Sequence, residues 1–204
     1  MSDFDADEYE SFSLDDDVVD DDDEDDDDLD DDDEDDEDDD LEDAEDDEID
    51  FVIAAYREDG QVYVQALSKE LANDLEELIV QLRRLPGDAG ALGFVSLVEE
   101  VFVLVRVRGQ HVQVLLSDGS AAAEWPIARD VADYLNAEIP DDDEEEAEPM
   151  GDLGLLADLG LSDFDMSGII DNLDLSSDQM AVEVADKIKL GAEFRRVVEA
   201  TFQT

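Results

Sequence analysis

The chain contains no cysteine, and that absence excludes a great deal. Disulfides, thiolate nucleophiles and cysteine-ligated zinc are ruled out together. There is one histidine, His111, and one tryptophan, Trp125. A single imidazole leaves little room for histidine-based acid–base or metal chemistry. Basic residues number 11 against 67 acidic in 204, a net charge of -56. Gripping a phosphate backbone takes Lys and Arg that displace counterions, so direct nucleic-acid binding is not expected, and anionic membrane surfaces are disfavoured likewise. No apolar run reaches the roughly 18–20 residues that span a bilayer. The N-terminus, MSDFDADEYE, lacks the basic and apolar regions of a secretory signal, so a cytoplasmic location is expected.

What the chain does have is charge of one sign, unevenly placed. Residues 1–50 carry 35 acidic and no basic residues, while residues 51–136 carry 13 acidic and 7 basic. Residues 137–150 add 8 acidic and no basic residues, and residues 151–204 hold 11 acidic and 4 basic. The extreme charge therefore belongs to two tracts, which divide the chain into four parts. Residues 1–48 read as a disordered acidic tail, because isolated apolar residues cannot offset an ordering cost of about 1–2 kcal/mol per residue. Residues 49–136 read as an α+β domain, 137–150 as an acidic linker, and 151–204 as a small all-helical unit.

The α+β segment opens with FVIAAYR and VYVQA around Asp59-Gly60. That dipeptide is a strong type I′ turn signal, and its register places Tyr56 opposite Tyr63 and Ala55 opposite Val64. Leu71, Leu75, Leu78, Ile79 and Leu82 recur at helical spacing, which predicts a helix over 69–84 capped by Ser68. Arg83 and Arg84 suit its last turn, and Pro86-Gly87 ends it. Residues 93–98 read as a third strand.

Val101 to Leu116 forms the centre of the pattern. A type II′ turn at Gly109-Gln110 sets Val107 opposite Val112, Val105 opposite Val114 and Val103 opposite Leu116, all facing the core. On the other face Arg108 meets His111 and Arg106 meets Gln113. That end is expected to be wet, with Leu104 and Leu115 covered further along. Pro126 starts a helix presenting Ile127, Val131, Tyr134 and Leu135. The order is β-β-α-β-β-β-α, most simply a five-stranded antiparallel sheet with helices on one face.

In the C-terminal unit, helices are expected over 152–159, 164–173, 177–189 and 192–202. Gly160 and Gly191 read as the glycines that end helices, and Ser176 to Gln179 as a capping box.

No residue pattern assigns a catalytic, cofactor-binding or metal site, and no cofactor is implied. His111 beside Arg108 reads as a solvated cross-strand neighbour, and Ser117-Asp118 as turn formers. Residues 163–174 have Asp163, Asp165, Ser167, Gly168, Ile170, Asp171 and Asp174 at the spacing of a calcium loop. Against that, Phe164 and Met166 fill usually polar positions, and the apolar spacing also fits a short amphipathic helix. The surface positions left for function are Arg106, Arg108, His111 and Gln113, and the Trp125 corner.

The segments VFVLVRVRGQHVQVLLSDGSAAAEWPIARDV and GDLGLLADLGL, joined by the acidic linker and preceded by FVIAAYREDGQVYV, resemble the bacterial family of tRNA adenosine deaminase-associated proteins. The resemblance covers about 150 residues and leaves out the acidic tail. It implies a partner of a tRNA-modifying deaminase. The chain cannot itself be a zinc nucleobase deaminase, which needs a His-x-Glu element and cysteine ligands, because His111 is followed by Val112-Gln113. A non-enzymatic accessory protein is the expectation, its acidic tail modulating a basic RNA-binding surface. Two alternatives stand beside it: a general polyanionic chaperone or decoy for basic proteins, and a calcium-responsive module through 163–174.

Overall fold

A computed structural model describes residues 41–87, 89–140 and 148–202. The acidic tail up to residue 40 and the centre of the acidic linker lie outside the described residues. The described residues group into one compact unit.

Strands β1 (Ile49–Glu58) and β2 (Gln61–Ala66) form the hairpin, with Tyr56 opposite Tyr63 and Ala55 opposite Val64. Asp59 and Gly60 both take positive φ, 51° and 78°, as a type I′ turn requires. The Tyr56 and Tyr63 rings stack at 5.1 Å. Three more strands follow: β3 (Ala91–Leu97), β4 (Val101–Arg108) and β5 (His111–Leu116). The β4–β5 register pairs Val107 with Val112, Val105 with Val114 and Val103 with Leu116. Gly109 supplies the positive φ, 59°, at its turn.

The sheet has six strands rather than five, in the order β2-β1-β3-β4-β5-β6. The added strand β6 is only Met150–Gly151, bonded to Leu116 and Leu115 at the end of the expected linker. Two residues carry no periodicity, so nothing in the local pattern marks them.

Helices cover both faces of the sheet, where one face was expected. On the first face, α1 (Leu75–Arg83) and α2 (Pro126–Leu135) pack Leu75, Leu78, Leu82, Ile127 and Val131 against Val95, Val103, Val105 and Val114. Gly93 permits this approach, since a Cβ there would sit 2.9 Å from Leu82 Cδ1. On the second face lie α3 (Asp163–Ile170), α4 (Ser177–Lys187) and α5 (Gly191–Thr201). Met166, Ile169, Val184 and Phe194 there bury Phe51, Ile53, Phe94, Phe102 and Leu104. Residues 151–202 thus supply the second half of a three-layer sandwich. Strands buried on both faces read as continuous apolar runs, and β3 (ALGFVSL) is buried at every position. A register shift between Ile49 and Phe51 turns Ile49 to the first face while Phe51 joins the second.

Several expected local features differ. The helix expected over 69–84 is a 3-10 segment, Lys69–Asn73, followed by α1. Ser68 makes no side-chain cap; Asp74 is the cap, its Oδ1 accepting from Glu77 N at 2.8 Å. Short acidic side chains hold an N-cap well, and the Asn73-Asp74 step breaks the longer period. Over 152–159 only Ala157–Leu159 is helical, as a 3-10 turn ended by Gly160 at φ 101°. The capping box at Ser176 is not formed. Ser176 Oγ instead donates to Asp178. Gly191 begins α5, and Lys189 takes the left-handed conformation at φ 64°. Tyr134, grouped with Ile127, Val131 and Leu135 in the expected helix, is exposed. Ala44, in the stretch read as tail, is buried, and its N–H donates to Asn73 Oδ1 at 2.8 Å.

Candidate functional site

The expected wet end of the β4–β5 hairpin is dry at Arg106. Arg108 and His111 are exposed and Gln113 is half-buried, but Arg106 is 1% exposed. Its guanidinium forks onto Asp158, with Nη2 at 2.8 Å from Oδ2 and Nη1 on Oδ1. It also donates to the carbonyls of Leu155 and of Ala89. These bonds hold the Asp158 carboxyl below its ordinary value, the hydrogen bonds from Arg106 being the first cause. Gln113 Nε2 donates to Asp152 Oδ2 at 2.7 Å. Arg106 and Gln113 therefore fasten the 152–158 loop to the sheet, while Arg108 and His111 stand exposed beside them.

Two further polar contacts act the same way. Asp50 Oδ2 accepts from Ser96 Oγ and from Glu99 N, each at 2.8 Å, and Ser96 Oγ lies 2.6 Å from Ser177 Oγ at the start of α4. Ser177 is fully buried, so this hydroxyl pair has no access for a substrate. Arg57 donates to the carbonyls of Ile188 and Lys189, satisfying the C-terminal end of α4.

Residues 163–174 do not form a calcium loop. Asp163–Ile170 is helical, with Ser162 Oγ capping Asp165 N, whereas an EF-hand needs those positions wrapped around an ion. Among the described residues no group of three or more acidic or histidine side chains is placed to hold a metal ion. Ser117 accepts from Phe102 N at 2.9 Å, and Asp118 caps the next turn through Ser120 N. Both are structural. Arg83 lies in the last turn of α1 and Arg84 is its C-cap.

A hollow lies between the start of α1 and the outer face of α2. It measures about 640 Å³ and is lined by Asp74, Glu76, Asp130, Asp133, Tyr134 and Arg83, among others. Its floor is built by a long-range bond: Leu75 N donates to Asp130 Oδ2 at 3.0 Å. Burial pushes the Asp130 carboxyl up, and the neighbouring Asp74, Asp133 and Glu76 charges add to that, against the bond from Leu75. Glu76 and Asp133 stand exposed at the rim. Four carboxylates face one cation, Arg83, in this groove. A guanidinium or ammonium entering it would relieve repulsion already present. Trp125 is half-buried at a second acidic hollow, beside Glu42, Glu45, Glu48 and Glu124. Sequence reading missed the α1–α2 groove, because Asp130 and Leu75 lie 55 residues apart.

Comparison with known proteins finds relatives of this chain. Residues 50–191 match the family described as Rv3753c-like tRNA adenosine deaminase-associated protein. Protein Rv3753c of Mycobacterium tuberculosis is 32% identical over 158 residues, spanning 76% of this chain and 91% of that protein. No solved structure matches. The matched region runs from β1 to the first residue of α5, so it takes in both faces of the sheet.

Proposed function

The chain belongs to the Rv3753c-like tRNA adenosine deaminase-associated protein family, and from that premise we propose that it is a non-enzymatic accessory protein that binds a tRNA-modifying deaminase. The observation that carries this reading is the acidic α1–α2 groove. Its carboxylates are organised by the fold and matched to a cationic partner, while the buried polar residues elsewhere are engaged in holding the layers together. An enzyme that grips tRNA must present Lys and Arg to the phosphates, so it offers the complementary surface. The folded body docks through Glu76 and Asp133, and the acidic residues of 1–48 compete for the same RNA-binding surface. The absence of cysteine from the sequence keeps the chain itself from being a cysteine-ligated zinc deaminase.

Affinity capture with the cognate deaminase tests this. The pair is expected to associate at low salt and to release tRNA less readily when residues 1–40 are deleted. Reversing Glu76 and Asp133 to Lys should weaken binding by at least about 10-fold. No association at low salt would sink the idea. Equal binding to many unrelated basic proteins, independent of Glu76 and Asp133, would favour a general polyanionic decoy instead.

A further inference from the structure

Among the described residues the outer edge of β2 is open. The strand stands at one end of the sheet order, and among the described residues no strand pairs with its outer side. The two-residue turn makes Glu58–Gln61, Tyr56–Tyr63 and Ala54–Gln65 the hydrogen-bonded pairs with β1. Leu67 N continues the ladder to Val52 O at 2.8 Å. The backbone N–H and C=O groups of Val62, Val64 and Ala66 therefore point away from β1. Natural edges are usually guarded by lysine, proline or a bulge. Gln61–Ala66, QVYVQA, has none of these, and its pairing with β1 is regular.

The same strand is a palindrome. Gln61-Val62-Tyr63-Val64-Gln65 reads identically in both directions. Two identical strands paired antiparallel are related by a two-fold axis, and a palindrome centred on Tyr63 makes each residue face its own kind across it. We infer that β2 is a self-association edge, pairing with β2 of a second copy about Tyr63 and joining two six-stranded sheets into one.

The register follows from which groups point outward. Val62 lies opposite Val64 of the second copy, and both present outward N–H and C=O groups, so each such pair exchanges two hydrogen bonds. Tyr63 meets Tyr63 in the intervening pair, where Cα atoms approach to about 4.5 Å. Tyr63 is 39% exposed and already stacked on Tyr56, so the contact extends an existing aromatic row. Gln61 pairs with Gln65, two uncharged side chains that can bond each other.

Charge decides how this edge behaves. The chain as a whole carries -56, which opposes any meeting of two copies. Locally the surroundings are mixed. Arg57, which pairs with Val62, reaches Ile188 and Lys189, and α5 over the hairpin carries Arg195 and Arg196 beside Asp186 and Glu193. Screening the long-range repulsion should therefore strengthen self-pairing as salt rises, the opposite of binding a basic partner.

Sedimentation of the full chain across protein concentration, at low and high salt, reads the association. A dimer favoured by salt is expected. Val64→Pro removes an outward N–H that β1 does not use, and should raise the dimer dissociation constant at least about 10-fold while circular dichroism stays unchanged. Because the chain has no cysteine, Tyr63→Cys introduces a lone thiol at the axis. It should oxidise to a crosslinked dimer, since about 4.5 Å suits a disulfide. Gln65→Cys should not, because the two copies of that residue lie four positions apart, about 13 Å. A monomer under all conditions, equal crosslinking of both cysteine variants, or a dimer indifferent to Val64→Pro with its fold intact overturns the inference.

Discussion

Arg106 and Asp158 meet in a forked ion pair that joins the fourth strand to the loop ahead of α3. Arg106 is 1% exposed and Asp158 52%. The arginine Nε is buried without a partner among the described residues, so the guanidinium depends on Asp158 and two carbonyls for its satisfaction. Asp158→Ala leaves a buried cation under-compensated. It should cost about 2 kcal/mol, below the 3–5 kcal/mol of a fully buried pair because the carboxylate is half in water. Asp152→Ala, which loses two exposed bonds, one from Gln113 and one from Gly154 N, should cost less, about 1 kcal/mol. Urea denaturation of both variants checks the ranking, and equal costs would contradict it.

The two shifted carboxylates give opposite pH signs. Asp158 lies below its ordinary value of 3.8 when folded, so the stability it adds is full above that value and is lost as pH falls through the lower, folded one. Asp130 lies above 3.8 when folded, so its contribution is full below 3.8 and is lost as pH rises through its raised value. Asp158→Asn should flatten the acid limb of a stability–pH curve, and Asp130→Asn should remove a decline above pH 3.8. Urea midpoints measured across the acid range distinguish them.

At Asp130 the cap and the charge can be separated. Asparagine keeps an acceptor for Leu75 N while removing a charge that burial and three acidic neighbours disfavour. Asp130→Asn should therefore be at least as stable as the parent at neutral pH. Asp130→Ala removes the acceptor and should lose about 1 kcal/mol. An asparagine variant as unstable as the alanine one would refute the separation.

Phe194 is the keystone of the second face. It is fully buried, with its ring 4.7 Å from Phe94 and 6.1 Å from Phe51, both edge-on. Phe194→Ala should destabilise by about 3–5 kcal/mol and expose apolar surface to a hydrophobic dye. Phe164→Ala, at 82% exposure, should change stability by less than about 0.5 kcal/mol.

What was legible in the sequence was local. Both hairpin registers followed from turn residues and period-two alternation, because Tyr56–Tyr63 and Val103–Leu116 are fixed by chain a few residues away. Pro126 at the start of α2 was equally visible. The second helical layer was half visible: β3 and β4 are apolar on both faces, which demands two covers, yet the cover lies beyond an acidic tract that looked like a boundary. Arg106 was misplaced because alternation puts it beside polar Gln113, while its neutralising partner is 52 residues away. The α1–α2 groove depends on a similarly distant bond between Leu75 and Asp130. Chemistry assembled across such separations leaves no periodic trace.

The two covers of the sheet also set an order of assembly during synthesis. The helices of the first face, α1 and α2, are threaded among or directly after the strands they cover, so their layer can close while the chain is still being made. Phe51, Phe94 and Phe102 must wait for α4 and α5. Until Phe194 emerges, a nascent sheet stands with an aromatic face open to water, which is the interval in which chaperone capture or misassembly would act.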